Sequence, residues 1–213
     1  MHGMDSAALE RFASAAHRVA AHGLVRCSSG NLSHRLDDER LIVSASTTWL
    51  ADLTPEQISV CSIADAAHLA GPRPSIETRF HAGIFRRRPE ANWVLHFQSP
   101  AATVLACRDG EPDLNVIIEV PAYIGPVAWV PYLAPGSPDL ASAVVEAMAA
   151  HDMAILRNHG QVTLGGTFAE TLQRAVFFEL ACEVVLRGGE SVRPLSQDEV
   201  AALRPKAGER RSV

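Results

Sequence analysis

Short β-branched runs stand close together in this chain and interleave irregularly with amphipathic stretches. No other feature constrains the fold as much. Leu41-Ile42-Val43 follows the hairpin-turn tetrapeptide Asp37-Asp38-Glu39-Arg40, and the runs 154–157 and 161–164 are separated only by Asn158-His159-Gly160. Strands joined so closely pair antiparallel, because a parallel pair needs a crossover of about a dozen residues. The pattern therefore favours a mixed or antiparallel sheet covered by helices over a strict βαβ series.

Helical spacing of apolar residues predicts helices over 4–23, 76–87, 100–107, 138–150 and 168–187. Ser75, Ser99, Ser137 and Thr167 stand where N-caps are expected, and Thr54-Pro55 opens another helical turn. Pro89 and Gly188-Gly189 are stop signals. Strands are expected at 41–43, 59–63, 93–96, 154–157 and 161–164. Shorter β-like pieces, 116–118 and 127–130, lie in a segment rich in Pro and Gly. The tail from about 204 is expected to fray. No linker or repeat interrupts the 213 residues, and 47% of them are hydrophobic, which suits one globular domain over 1–213.

The net charge is -5 with both signs mixed along the chain, so no basic stripe points to nucleic acid. No apolar run reaches the roughly eighteen residues of a membrane span. Residues 1–9 lack the charged and apolar regions of a secretion signal. The cysteines Cys27, Cys61, Cys107 and Cys182 form neither a CxxC pair nor a disulfide frame, so a reducing cytoplasm is the expectation.

Polar chemistry concentrates at a few points. The strand 93–96 runs into His96, and Gln98 lies two residues on. Side chains at i and i+2 of a strand share a face, so an imidazole and an amide oxygen converge there. They suit a metal, with the amide the weaker and harder ligand, or they form a structural hydrogen-bond pair. His159 sits in Arg157-Asn158-His159-Gly160, where Gly160 permits a close backbone approach. It reads as a third ligand if the strand ends meet, and as a turn histidine otherwise. Glu77 falls in the first turn of a helix, where the dipole alone favours a carboxylate. Beside a metal the same group is a general acid/base or a ligand. Residues 28–33, residues 44–48 and Ser75 offer hydroxyls, an amide and helix N-terminal N–H groups. Together these make an anion site, and singly they are ordinary loop chemistry. His81 and His17 read as structural, and His2, His22, His34, His68 and His151 as loop or surface residues. Glu179 and Glu183, one turn apart on a helix, read as a solvated or interface face.

Taken in order, these segments resemble the class II aldolase/adducin-domain family from about residue 8 to 187. Gly30-Asn31-Leu32-Ser33 resembles its Gly-Asn-x-Ser phosphate loop. Ser44-Ala45-Ser46-Thr47 with Leu53-Thr54-Pro55 takes the place of Thr-Pro-Ser-Gly…Leu-Thr-Pro. Pro74-Ser75-Ile76-Glu77 with His81 is similar to Pro-Ser-Ser-Glu…His. His96-Phe97-Gln98-Ser99 stands where the family has His-x-His-Ser, and Asn158-His159-Gly160 resembles its Asn-His-Gly. Pro131-Tyr132, Pro135-Gly136 and Leu140 are similar to a stretch of the family's sugar-acid phosphate decarboxylases.

The resemblance implies a three-layer α/β/α fold with a central mixed, mainly antiparallel sheet. It also implies a lyase acting on a small-molecule substrate, by retro-aldol cleavage or decarboxylation through a metal-stabilised enediolate. His96, Gln98 and His159 would hold a divalent metal, zinc first, with Mn, Co, Fe or Mg open because Gln98 replaces a histidine. Glu77 would be catalytic, and Asn31, Ser46, Thr47 and Ser75 would approach the substrate. Such enzymes imply a homotetramer, to which Glu119 and Tyr123 are places to seek donated residues. Thr47 in place of Gly disfavours positive φ, and Ile76 in place of Ser removes a hydroxyl. Both point away from a phosphorylated substrate. The alternatives are a non-catalytic adducin-like binding protein and a metal-dependent dehydratase or epimerase.

Overall fold

The structure is a computed structural model that describes residues 6–204. His2, the first residues of the expected N-terminal helix and the tail expected to fray beyond 204 lie outside them.

β1 (Asn31–Arg35), β2 (Arg40–Ser44), β3 (Ile58–Ser62) and β4 (His68–Ala70) form an antiparallel meander. β5 (Trp93–Phe97) pairs with the other edge of β1. β6 (Val127–Val130), β7 (Met153–Leu156) and β8 (Gly160–Gly165) complete one eight-stranded sheet, in the order β4-β3-β2-β1-β5-β8-β7-β6. The expected tight turn between 157 and 160 joins β7 to β8 antiparallel. β6 and β7 are the parallel pair, and helix α4 (Pro138–Met148) is the crossover between them.

The remaining helices are α1 (Ser6–Ala21), α2 (Thr78–Arg87), α3 (Pro100–Ala106), α5 (Phe168–Gly188) and α6 (Gln197–Leu203). Alternation along the strands divides the core in two. Ile42, Leu95, Phe97 and Ile155 face Phe12, Val19, Leu105 and Phe178 of α1, α3 and α5. Leu41, Val43, Val94 and Leu156 face Phe80, Phe85, Val144 and Met148 of α2 and α4. The fold is therefore the three-layer α/β/α arrangement with a mixed, mainly antiparallel sheet. His96 shares the parity of Val94, so it points into the layer that holds α2.

Several local expectations give way to tertiary context. Residues 116–118 form no strand. Val116 and Ile117 pack against the α1/α3/α5 layer, and the chain enters a π-helical turn over Val120–Ile124. Thr54-Pro55 begins a single 3-10 turn, Pro55–Gln57, because β3 starts at Ile58. α2 begins at Thr78, which makes Glu77 its N-cap position rather than part of its first turn. The edge strand β4 and helix α6 lie outside the elements expected from the sequence. His34 is not a loop residue: it lies on β1 with its ring stacked on Trp93 at 4.2 Å.

Glu179 also departs from its expected solvated role. Its carboxylate accepts from the backbone N–H of Ala101 at 2.7 Å and of Ala102 at 2.9 Å, and from the Ser99 hydroxyl at 2.6 Å. Ser99 makes no side-chain cap of its own. A buried helix start leaves N–H groups that need acceptors, and α5 supplies one from across the interface. Glu183 does stay at the surface, paired with Arg187 at 3.3 Å. Glu179→Ala should lower stability by about 1–2 kcal/mol, the cost of a lost helix cap. Glu183→Ala should change it by no more than about 0.5 kcal/mol. Urea unfolding midpoints of the two variants check the contrast.

Candidate metal centre

Three chain segments meet at the end of β5. Asn31, the first residue of β1, is the direct cross-strand partner of His96, so their side chains share one face. His159 comes from the β7–β8 turn, where Asn158 adopts φ 54, a left-handed conformation that Asn tolerates. Glu77 comes from the start of α2. Two glycines allow this closeness. A Cβ on Gly160 would lie 2.6 Å from the Phe97 carbonyl oxygen and 3.0 Å from His96 Cε1. A Cβ on Gly30, at φ 80, would lie 2.6 Å from the His96 carbonyl oxygen.

The Glu77 carboxylate, 6% exposed, lies between the two imidazoles. Oε2 is 3.5 Å from His96 Nε2, and Oε1 is 3.2 Å from His159 Nε2. The rings of His96 and His159 meet edge-on with centroids 4.9 Å apart. One donor atom from each of Glu77, His96 and His159 falls within 4.8 Å of the others. Glu77 Oε1 and His159 Nδ1 are buried without a hydrogen-bond partner.

Protonation follows from the neighbours. His96 Nδ1 donates to the Gln161 carbonyl at 2.9 Å, which leaves Nε2 as the lone-pair nitrogen facing Glu77. Burial holds the His96 pKa below its ordinary value, against the pull of Glu77. Burial acts to raise the Glu77 pKa, but His96, His159 and the Asn31 amide outweigh it, and the carboxyl sits well below the usual range. For this pair the state is an ionised Glu77 beside a neutral His96. A lone pair and a carboxylate oxygen then face each other across 3.5 Å with no proton between them. Such an arrangement is suited to a cation.

A hydrogen-bonded chain lies behind Glu77. Asn31 Nδ2 donates to Glu77 Oε2 at 2.9 Å, and Asn31 Oδ1 meets His81 Nε2 at 2.5 Å. His81 Nδ1 meets the Ser33 hydroxyl at 2.6 Å. His81 is wholly buried, and desolvation takes its pKa down to about 3. The sequence marks it as structural, and only the fold ties it to the site. The available signal was the polar pair Asn31 and Ser33 at i and i+2 of one strand, which puts both side chains on one face.

In front of the centre is a cavity of about 220 Å³. Gln98 lines it together with His96 and His159, as the i, i+2 spacing required. Asn31, Ser46, Thr47 and Ser75 line it as well. Thr47 holds φ 64 despite its branched Cβ, so the loop keeps the left-handed backbone that the sequence argued against. Its hydroxyl, like that of Thr48, donates to a carbonyl of its own loop. Ile76, half exposed, forms part of the rim. A second cavity, of about 420 Å³, lies at the other end of β8 and includes Tyr123. Arg88, Asp152, Glu170 and Arg174 form a network of ion pairs in its wall, and Glu90, paired with Arg88, and Arg204 line it too.

The chain has counterparts among known proteins. The profile of the Class II Aldolase and Adducin N-terminal domain matches residues 10–186. The chain is 32% identical over 187 residues to the 3-oxo-tetronate 4-phosphate decarboxylase of Escherichia coli K12, covering 85% of this chain and 88% of the relative. It is 32% identical over 203 residues to the 5-methylthioribulose-1-phosphate/5-deoxyribulose-1-phosphate aldolase of Rhodospirillum rubrum, covering 90% and 87%. The crystal structure of YgbL from Klebsiella pneumoniae superposes with a TM-score of 0.87 at 27% identity, covering 95% of this chain and all of that one.

The buried neutral His81 predicts acid sensitivity. Its folded-state pKa is depressed, so the unfolded chain binds more protons between about pH 6.5 and about 3. Stability should be full above about pH 6.5 and fall as pH drops, by at most about 1.4 kcal/mol per pH unit for this one group. Urea unfolding of the metal-stripped chain between pH 7 and pH 5 measures the slope, and His81→Gln should flatten it.

Proposed function

The chain belongs to the class II aldolase and adducin N-terminal domain family, and from that membership we propose that it is a divalent-metal-dependent lyase cleaving a carbon–carbon bond in a small sugar-derived hydroxy-oxo acid. The observation that carries this reading is the ionised Glu77 carboxylate held between His96 and His159, with Oε1 lacking a hydrogen bond. A chain kept only for binding or scaffolding has no physical reason to bury that charge.

His96, His159 and Glu77 fit a divalent cation, and Gln98 would add its amide oxygen. Zinc is the first candidate on the two imidazoles, and Mn, Co, Fe and Mg follow because an amide is a harder ligand than imidazole. A bound ion would supply Lewis acidity to the substrate carbonyl. Glu77 Oε1 is the group that moves protons. In retro-aldol cleavage it takes the hydroxyl proton as the C–C bond opens and returns it to carbon. In decarboxylation the electron pair of the broken bond stays on the substrate, CO2 leaves, and Glu77 relays a solvent proton to that carbon. We favour decarboxylation of a 3-oxo acid, because the 3-oxo-tetronate 4-phosphate decarboxylases match over most of both chains.

Asn31, Ser46, Thr47 and Ser75 face the substrate in this reading. The rim argues for a far end less charged than a phosphate. Ile76 is apolar, the Thr47 and Thr48 hydroxyls are engaged within their own loop, and no Lys or Arg is among the described lining residues. The cavity is also smaller than a typical drug-sized site.

We further place the protein in the cytoplasm, as a single domain over 1–213 assembled into a homotetramer. The four cysteines are free, and no helix among the described residues is long and apolar enough to cross a membrane. Val104 and Leu180 are exposed on the packed helices α3 and α5, which supports association.

Metal analysis of protein purified without added metal should find close to one divalent ion per chain. Less than about a tenth of an equivalent, with no uptake on soaking, would overturn the metal assignment. Gln98→His should tighten zinc binding by about tenfold or more if the amide is a ligand, and unchanged affinity would place Gln98 outside the ligand set. Glu77→Gln should lower kcat by at least about 10²-fold. Wild-type turnover of 3-oxo-tetronate with and without its 4-phosphate tests the rim, and kcat/KM should not favour the phosphorylated acid.

A further inference from the structure

We propose that His81 is a positioning residue: with Ser33 and Asn31 it forms a one-way hydrogen-bond chain that commits Glu77 Oε2 and leaves Oε1 free to react or bind. This rests on the reading of Glu77 as the working carboxylate of the site. It goes further by assigning a role to two buried residues that touch neither the cavity nor the candidate ligands His96 and His159.

The direction of the chain is forced from its Glu77 end. A carboxylate only accepts, so Asn31 must turn its Nδ2 toward Oε2, 2.9 Å away. That orientation presents Asn31 Oδ1 to His81, so the 2.5 Å contact needs a proton on His81 Nε2. A neutral imidazole with its proton on Nε2 has only an acceptor at Nδ1, so Ser33 must donate its hydroxyl there at 2.6 Å. No link can reverse alone. A His81 with its proton on Nδ1 would set two lone pairs face to face at Asn31. A flipped Asn31 would set its carbonyl oxygen against a carboxylate.

The surroundings allow no competing partner. Ser33 and His81 are 0% exposed and lie behind the cavity that Asn31 lines, so water does not replace the link between them. The His81 ring is held flat against Phe80, with centroids 4.6 Å apart and planes 19° apart. Asn31 and Ser33 lie on one face of β1 because they are two residues apart. His81 lies one turn beyond Glu77 at the start of α2, above that face. The consequence is an unequal carboxylate. Oε2 is tied to the Asn31 amide and is the less basic oxygen, whereas Oε1 has no fixed amide donor and faces only the His159 ring, with Nε2 3.2 Å away.

The test uses the full chain, stripped of metal and labelled with 15N. Ring 15N spectra should show His81 neutral with its proton on Nε2 from pH 5 to 8, and a proton on Nδ1 would overturn the proposal. Zinc is then titrated in. His81→Leu should weaken zinc binding by about tenfold, in the range for loss of a group that orients a ligand. His81→Gln, whose amide N–H can still reach the Asn31 oxygen, should recover to within about threefold. Equal zinc affinity for wild type and a folded His81→Leu would overturn the proposal. Should His81→Leu fail to fold, Ser33→Ala decides: the His81 Nδ1 resonance must move toward its unbonded position, and an unmoved resonance refutes the chain. If the wild type takes up no zinc, the metal reading fails separately, and the ring spectra still decide the orientation of the chain.

Discussion

The constraint on which the rest of this structure depends is an ionised carboxylate inside the protein. Burying a charge is costly unless partners surround it. Glu77 has the Asn31 amide on one oxygen and two imidazoles beside the pair, but no described Lys or Arg among the residues that line its cavity. His96 brings no charge of its own, because burial holds its pKa below the ordinary value. A divalent cation would balance the Glu77 charge, and the carboxylate and the two imidazoles could hold one.

The fold serves that carboxylate in particular ways. The antiparallel register of β1 with β5 sets Asn31 opposite His96. The β7–β8 turn brings His159 to the same strand end, and only a residue without Cβ fits at 160. Helix α2 delivers both Glu77 and, one turn later, His81 to the same face of the sheet. On the opposite face, Glu179 fastens the start of α3 directly after Gln98 and Ser99. The polar elements of the site are therefore anchored from both layers, while the two apolar clusters carry the bulk of the packing.

Much of this was legible in the sequence wherever the signal was local or periodic. Hairpin spacing gave the β1–β2 and β7–β8 pairings, helical spacing gave five of the helices, and i, i+2 spacing put His96 and Gln98 at one cavity. The readings that gave way depended on distant neighbours. The run at 116–118 has strand-like residues but packs on helices. His34 looked like a loop residue until Trp93 covered it. Glu179 looked solvated because nothing near it in sequence reveals the helix start it caps. Thr47 was expected to resist a left-handed backbone, yet the loop holds it there.

The amino-acid sequence by itself therefore determined the layer class, the strand end that carries an imidazole and an amide, and the candidacy of Glu77, His96 and His159. Those features follow from residue type and short spacing, which the chain carries wherever it goes. Only the tertiary structure decided which groups face one another and in which protonation state. Ser33, His81, Asn31 and Glu77 are separated by up to 50 residues between hydrogen-bonded neighbours. A donor and an acceptor that far apart acquire their roles only when β1 and α2 are packed together and water is excluded.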